Sequence, residues 1–184
     1  IAELIGQAVQ KAEDIINDLL DRPTDAQWEQ IDKAIDALKD QMDAKRQGIV
    51  DKDPETLASM EKWFGSNDEK TQEALIDRID KQRTLLDSLE RDNFRVEEKP
   101  GTYAYVYPND KDHKITLCDS FWDAPPTGPD SQMGTIAHEM SHFNDYGATD
   151  DHVYGRGDAE QLAEASPDDA MNNADNFEYF IEGD

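Results

Sequence analysis

The chain has 184 residues, 36% hydrophobic and 33% charged, which is enough for one domain with a sizeable core. Eighteen lysines and arginines stand against 43 aspartates and glutamates, a formal net charge of −25. That charge repels phosphate backbones and argues against a nucleic-acid partner, and no apolar run approaches the ~20 residues of a membrane span. Acidity of this degree attracts cationic substrates, and it equally keeps a protein soluble in salty surroundings. Cys118 is the only cysteine, so no intrachain disulfide can form and a reducing compartment is compatible. The chain opens at Ile1 with no signal-peptide pattern, which reads as a mature, processed or excised domain.

Residues 1–92 carry helical periodicity. Leu4, Ile5, Ala8, Ala12, Ile15, Ile16, Leu19 and Leu20 mark one apolar face. Arg22-Pro23-Thr24-Asp25 breaks it, with Thr24 or Asp25 as N-cap. A second helix carries Trp28, Ile31, Ile35, Leu38 and Met42 and is expected to end at Gly48. A third starts at Asp53-Pro54 and runs through Leu57 and Met60 to Trp63-Phe64-Gly65. A fourth shows Leu75, Ile76, Ile79, Leu85, Leu86 and Leu89. These stripes read as core or as partner-helix surface. After residue 93 the character changes. Tyr103-Ala104-Tyr105-Val106-Tyr107 favours a strand, Pro108–Asp112 a turn, and Ile115–Cys118 the returning strand. Ala124–Pro129 is a stiff loop, Asp130 or Ser131 caps the next helix, and Gly147 is placed to end it. With no internal repeat and no low-complexity linker, one domain over 1–184 is expected.

That helix contains His138-Glu139-Met140-Ser141-His142. Residues i and i+4 share a helical face, so both imidazoles can bind one metal ion, and Glu139 is placed for general-base work on a water held there. This is the spacing of a zinc-peptidase helix. Such a site needs a third protein ligand. The extended pattern HExxHxxGxxH is excluded, because Asp145 and Ala148 occupy its glycine and third-histidine positions. On residue chemistry alone Asp145, Asp150, Asp151, Glu160 and Glu164 all remain open.

The surroundings of the motif resemble the aspzincin metallopeptidases, whose second motif runs GTxxDxxYG. Here Gly134-Thr135 precedes the histidines and Gly147-Ala148-Thr149-Asp150-Asp151-His152-Val153-Tyr154-Gly155 follows them, with Ala148 in place of the threonine. The likeness is greatest to the peptidyl-Lys metalloendopeptidase branch. It takes in Gly101–Asn109, Leu117-Cys118, Phe121-Trp122, Asp130-Ser131-Gln132 and Asn173–Phe180, about residues 100–182, with a weaker echo at Trp63-Phe64-Gly65. The resemblance implies an α+β, zincin-like fold: a helical N-terminal half, a small twisted sheet and an active-site helix. It implies one Zn²⁺ held by His138, His142 and Asp151, with Glu139 as general base and Tyr154 donating to the oxyanion. It also implies that Asp175 and Glu178, which a helix places on one face, form an acidic S1′ pocket for lysine.

The expected activity is therefore zinc-dependent hydrolysis of peptide bonds on the amino side of lysine in protein or peptide substrates. The run Ile115–Asp184 contains no lysine and only one arginine, Arg156, as suits a lysine-directed peptidase and equally an acidic composition. The unpartnered Cys118 departs from the disulfide-bonded fungal members and suggests a bacterial version, secreted or translocated. Two alternatives are an effector domain with a narrow protein target and an inactive zinc-binding interaction module.

Overall fold

Helix starts follow from capping chemistry. The computed structural model describes residues 2–183, apart from the side chains of Asn17 and Asp18. Thr24 caps α2 (Asp25–Val50): its hydroxyl accepts from the Gln27 amide while the Gln27 side chain accepts from the Thr24 N–H. Asp53 caps α3 (Pro54–Phe64), with Pro54 in the first turn where a missing N–H costs nothing. Asp68 caps α4 (Glu69–Ser88). Ile31, Ala34, Ile35, Leu38 and Met42 of α2 recur at helical spacing and are buried with Met60, Trp63 and Phe64 of α3 and Leu75, Ile79, Leu85 and Leu86 of α4. Each large side chain so buried contributes roughly 1.5–3 kcal/mol. The expected stop at Gly48 is two residues early. The helix runs to Val50 and breaks where Lys52 turns left-handed (φ 53°).

Helix α1 (Ala2–Leu20) differs from these three. Its apolar stripe forms as expected, but Leu4, Ile5, Ile15, Ile16, Leu19 and Leu20 are all exposed and no described residue of the helix is buried. Amphipathic spacing sets the helix but cannot say which surface covers it.

The sheet has three short strands, β1 (Phe94–Val96), β2 (Ala104–Val106) and β3 (Ile115–Leu117), in the order β1-β3-β2. The antiparallel β2–β3 pair is the hairpin expected from sequence, with Tyr105 opposite Thr116. β1 runs parallel to β3, Phe94 opposite Ile115. Three residues are too few to show a period, so sequence reading left β1 unassigned. In this order β2 is an edge.

Short helix α5 (Asp119–Asp123) leads to α6 (Gln132–His142), and α7 (Arg156–Ala165), α8 (Pro167–Met171) and α9 (Ala174–Glu182) complete the chain. The result is the expected α+β arrangement. Ser131, rather than Asp130, caps α6, accepting from the Gly134 amide at 3.0 Å. Helix α6 ends at His142, five residues before the expected stop at Gly147. The chain leaves the helix at Phe143, turns, and passes back over the helix end, where Thr149 N–H donates to Ser141 C=O at 3.0 Å. A side chain at Gly147 would collide with that same carbonyl, so the glycine serves the return and not the stop.

Deleting residues 1–20 is expected to change unfolding free energy by less than ~0.5 kcal/mol, as for other exposed surface. Leu38→Ala, at a fully buried position, is expected to cost ~2–5 kcal/mol. Urea unfolding followed by circular dichroism measures both.

Candidate metal centre and substrate cleft

Nearly every residue of α6 is buried, and the two imidazoles project from one face, with ring centroids 4.9 Å apart. Asp151 Oδ1 lies 3.3 Å from His138 Nε2 and 3.4 Å from His142 Nε2. A tetrahedral shell with ligands at about 2.0–2.1 Å has edges of about 3.3–3.4 Å. The separations and the N,N,O donor chemistry thus fit one zinc ion. The other open candidates lie elsewhere. Asp145 pairs with Lys111 at 3.0 Å, and Glu160 pairs with Lys62 at 3.6 Å. Glu164 faces solvent beyond α3, and the Asp150 carboxylate lies 3.5 Å from the Asn172 amide.

The far side of each ring is also held. His142 Nδ1 lies 2.9 Å from the Thr149 carbonyl, and the Thr149 hydroxyl is 2.6 Å from that of Ser141. His138 Nδ1 lies 2.9 Å from Asp175 Oδ1 and 3.0 Å from Glu178 Oε2. With each Nδ1 held by these oxygens, each Nε2 is left to face Asp151, where it would give its lone pair to a metal ion bound between them. Asp175 and Glu178 do share a face of α9, as the spacing implies. They are, however, more than a free acidic wall, because both reach a histidine of the centre. Asp175 Oδ2 further accepts from the Tyr179 hydroxyl at 2.8 Å and the Gly155 amide at 2.7 Å.

These residues border a cleft of about 420 Å³. Its lining includes Asp130, Glu139, Asp151, Asp175 and Glu178 and no lysine or arginine. Gly101–Ala104, running into edge strand β2, form one wall, and Tyr154 stands at the rim, 66% exposed. Burial raises the Glu139 carboxyl above its ordinary range and pushes Glu178 up to about 7. Burial opposes a proton on His138, but hydrogen bonds to Asp151, Asp175 and Glu178 outweigh it and hold the imidazole well above its usual pKa. Burial also works against the Asp151 anion, yet the two imidazoles keep it far below the usual carboxylate range. A field that favours extra positive charge on this scale suits a divalent cation.

The start of α6 is anchored by Glu182, whose side chain is fully buried. Its carboxylate accepts from the Ser131 amide (2.8 Å), the Ser131 hydroxyl (2.9 Å) and the Asp130 amide (3.2 Å). Arg156 donates to it at 2.6 Å, and the guanidinium also lies over the Trp63 and Tyr179 rings. A Cβ at Gly134 would overlap the Glu182 carboxylate, so the glycine before the histidine motif lets α9 close on α6. Sequence reading missed Glu182, Thr149 and Tyr179 as supports of the site. Nothing in their spacing distinguishes them from other polar and aromatic residues of an acidic chain.

Two histidines and an aspartate around one point, with a buried glutamate beside the first histidine, make a donor set of the kind zinc metallopeptidases use. The comparisons with known proteins agree. The family profile described as lysine-specific metallo-endopeptidase, the aspzincins, matches residues 49–182. The chain belongs to this family. The match extends the likeness seen over 100–182 back through α3 and α4. The chain is similar to an extracellular protease of Aeromonas hydrophila, 45% identical over 120 residues (65% of this chain, 34% of that protein). It is similar to the peptidyl-Lys metalloendopeptidase of Grifola frondosa, 55% identical over 82 residues (45% of this chain, 23% of that protein). The chain thus spans about a third or less of the length of these two relatives. The solved structure of a zinc peptidase from Grifola frondosa superimposes with a TM-score of 0.75 at 32% identity, covering 87% of this chain and 96% of that one.

Zinc titration against a chelator is expected to give one ion per chain. Asp151→Ala is expected to weaken binding by more than the ~10–100-fold that loss of an outer supporting group costs. Asp150→Ala is expected to leave it within about twofold of the parent chain, as suits an exposed side chain outside the donor set.

Proposed function

We propose that this chain is a zinc-dependent endopeptidase that hydrolyses peptide bonds on the amino side of lysine. The observation that carries the reading is the joining of the His138–His142–Asp151 donor set to a cleft lined by carboxylates, with no lysine or arginine among its described lining residues. Bound zinc would supply Lewis acidity, lowering the pKa of its water from 15.7 towards ~7. His138, His142 and Asp151 would hold the ion. Glu139, buried and with a raised pKa, takes the proton of the attacking water and delivers it to the leaving amine. Tyr154, at the rim beside Asp151, donates its phenol to the oxygen on which negative charge develops.

Substrate orientation follows from the same walls. A lysine side chain enters with its ammonium towards Asp175 and Glu178, where a desolvated cation needs a carboxylate partner. The backbone N–H and C=O groups of edge strand β2 are open to an extended peptide, which can add as a further strand. The packed helices within residues 25–92 and the segment 93–182 act as one catalytic domain, because α2, α3 and α4 supply the core behind α6.

The partners are protein or peptide substrates containing lysine. Among the described residues no helix is long and apolar enough to cross a membrane. The Aeromonas relative is an extracellular protease, which supports a secreted or translocated bacterial protein here. The effector-domain and inactive-module readings gain no support from these observations.

Glu139→Gln is expected to keep zinc and lower kcat by ~10²–10⁴-fold, with KM little changed. Turnover near that of the parent chain would end the general-base assignment. Mass spectrometry of an unstructured protein digested with the zinc-loaded chain is expected to show new N-termini at lysine, all abolished by chelator. Chelator-sensitive cuts elsewhere would keep the peptidase and remove Asp175 and Glu178 as a lysine pocket.

A further inference from the structure

The segment from Asp151 to Gly155 carries both Asp151 and Tyr154, yet it has no regular secondary structure. Its residues are exposed or half-buried, so its course is fixed by the hydrogen bonds that tie its backbone to the residues around the start of α9. At its start Asp150 bridges to Asn173: Asp150 N–H donates to Asn172 C=O at 2.8 Å, and Ala174 N–H donates to Asp150 C=O at 3.0 Å. At its end Gly155 N–H donates to Asp175. Between these points the Asn173 side chain serves the backbone. Asn173 Oδ1 accepts from His152 N–H at 2.8 Å and from Val153 N–H at 3.2 Å. Asn173 Nδ2 donates to Val153 C=O at 3.3 Å and to Asn176 Oδ1 at 2.7 Å.

Asn173 is fully buried. A side-chain amide has two donor hydrogens and two acceptor lone pairs, and all four are used here. The amide orientation is set by the second of these links. Asn176 must present its oxygen to Asn173, because its own nitrogen donates to the carbonyls of Trp63 and Ala159 at 2.6 and 2.9 Å. A second observation points the same way. Asn173 is the N-cap of α9, a position where asparagine ordinarily turns its side chain back onto the helix amides. Here the side chain makes no capping bond and is turned to the 152–153 backbone instead.

We propose that Asn173 is a positioning residue for the reaction: it holds the loop that places Asp151 at the metal and Tyr154 at the developing oxyanion. This rests on the roles given above to Asp151 and Tyr154. The isosteric change to aspartate puts an oxygen against Val153 C=O and Asn176 Oδ1, and alanine removes all four bonds.

The test compares zinc-loaded parent chain, Asn173→Ala and Asn173→Asp, each checked for folding by circular dichroism. Zinc affinity is read by chelator competition, ligand geometry by the visible spectrum of the Co²⁺-substituted protein, and kcat and KM on a lysine-containing peptide. Folded variants are expected to bind zinc ~10–100-fold more weakly. They are also expected to show an altered Co²⁺ spectrum and a lowered kcat at saturating zinc, with KM within about twofold of the parent. Folded variants with parental zinc affinity, spectrum and kcat would overturn the proposal. Failure of both variants to fold would also overturn it, by making Asn173 a folding residue. If the parent chain binds zinc but cleaves nothing, the peptidase reading fails. The affinity and spectrum then still decide whether Asn173 positions Asp151.

Discussion

Helix geometry puts both histidines on one face of α6, and the packing of α9 against that helix fixes where the face points. Two contacts make this packing specific. At the N-terminal end the buried Glu182 carboxylate takes the amides of Asp130 and Ser131, and Gly134 leaves room for it. About one and two turns earlier on α9, Glu178 and Asp175 meet His138 Nδ1. A helix with its donors satisfied at one end and its first histidine held from behind has little freedom to rotate. The position of His138 Nε2 is therefore a property of the α6–α9 pair, while His142 is oriented by the Thr149 carbonyl.

This arrangement joins two jobs that are usually discussed apart. Two of the carboxylates that face the cleft, Asp175 and Glu178, also orient His138. One Nδ1 proton cannot fully serve both Asp175 and Glu178, and burial raises Glu178 while Asp175, tied also to Gly155 and Tyr179, stays below its ordinary value. The two carboxylates differ in environment although they lie on one helical face. Asp175 is the more fully committed to structure, and Glu178 keeps the more free acceptor capacity.

The helical half shows how far pattern reading carries and where it stops. Thr24 and Asp53 were readable as caps because capping chemistry is local, and the stripes of α2, α3 and α4 matched the buried faces because each helix has one apolar side to hide. The stripe of α1 is equally good as a pattern and stays exposed, since an amphipathic face states a need for a partner without supplying one. Strand β1 was invisible for the opposite reason: three residues paired to a distant strand leave no period. Gly147 misled because a glycine after a helix can serve a stop or a close return of the chain, and only packing tells which.

At the site the division follows sequence distance. His138, Glu139 and His142 could be read directly, because helix geometry alone puts i and i+4 on one face. The third donor had five candidates on residue chemistry, and family resemblance, not spacing, singled out Asp151. The fold brings its carboxylate to both imidazoles through a loop with no periodic signal. The supports, Thr149, Asn173, Tyr179 and Glu182, had no signature, because each acts through hydrogen bonds made only after α9 and the 149–155 segment have packed against α6. The sequence by itself determined a helix with two histidines on one face inside an acidic protein, since both follow from local geometry and composition, and family resemblance added the α+β fold. Only the tertiary structure decided that Asp175 and Glu178 stand behind His138 and that Asn173 holds the loop, since those contacts join residues that chain order keeps apart.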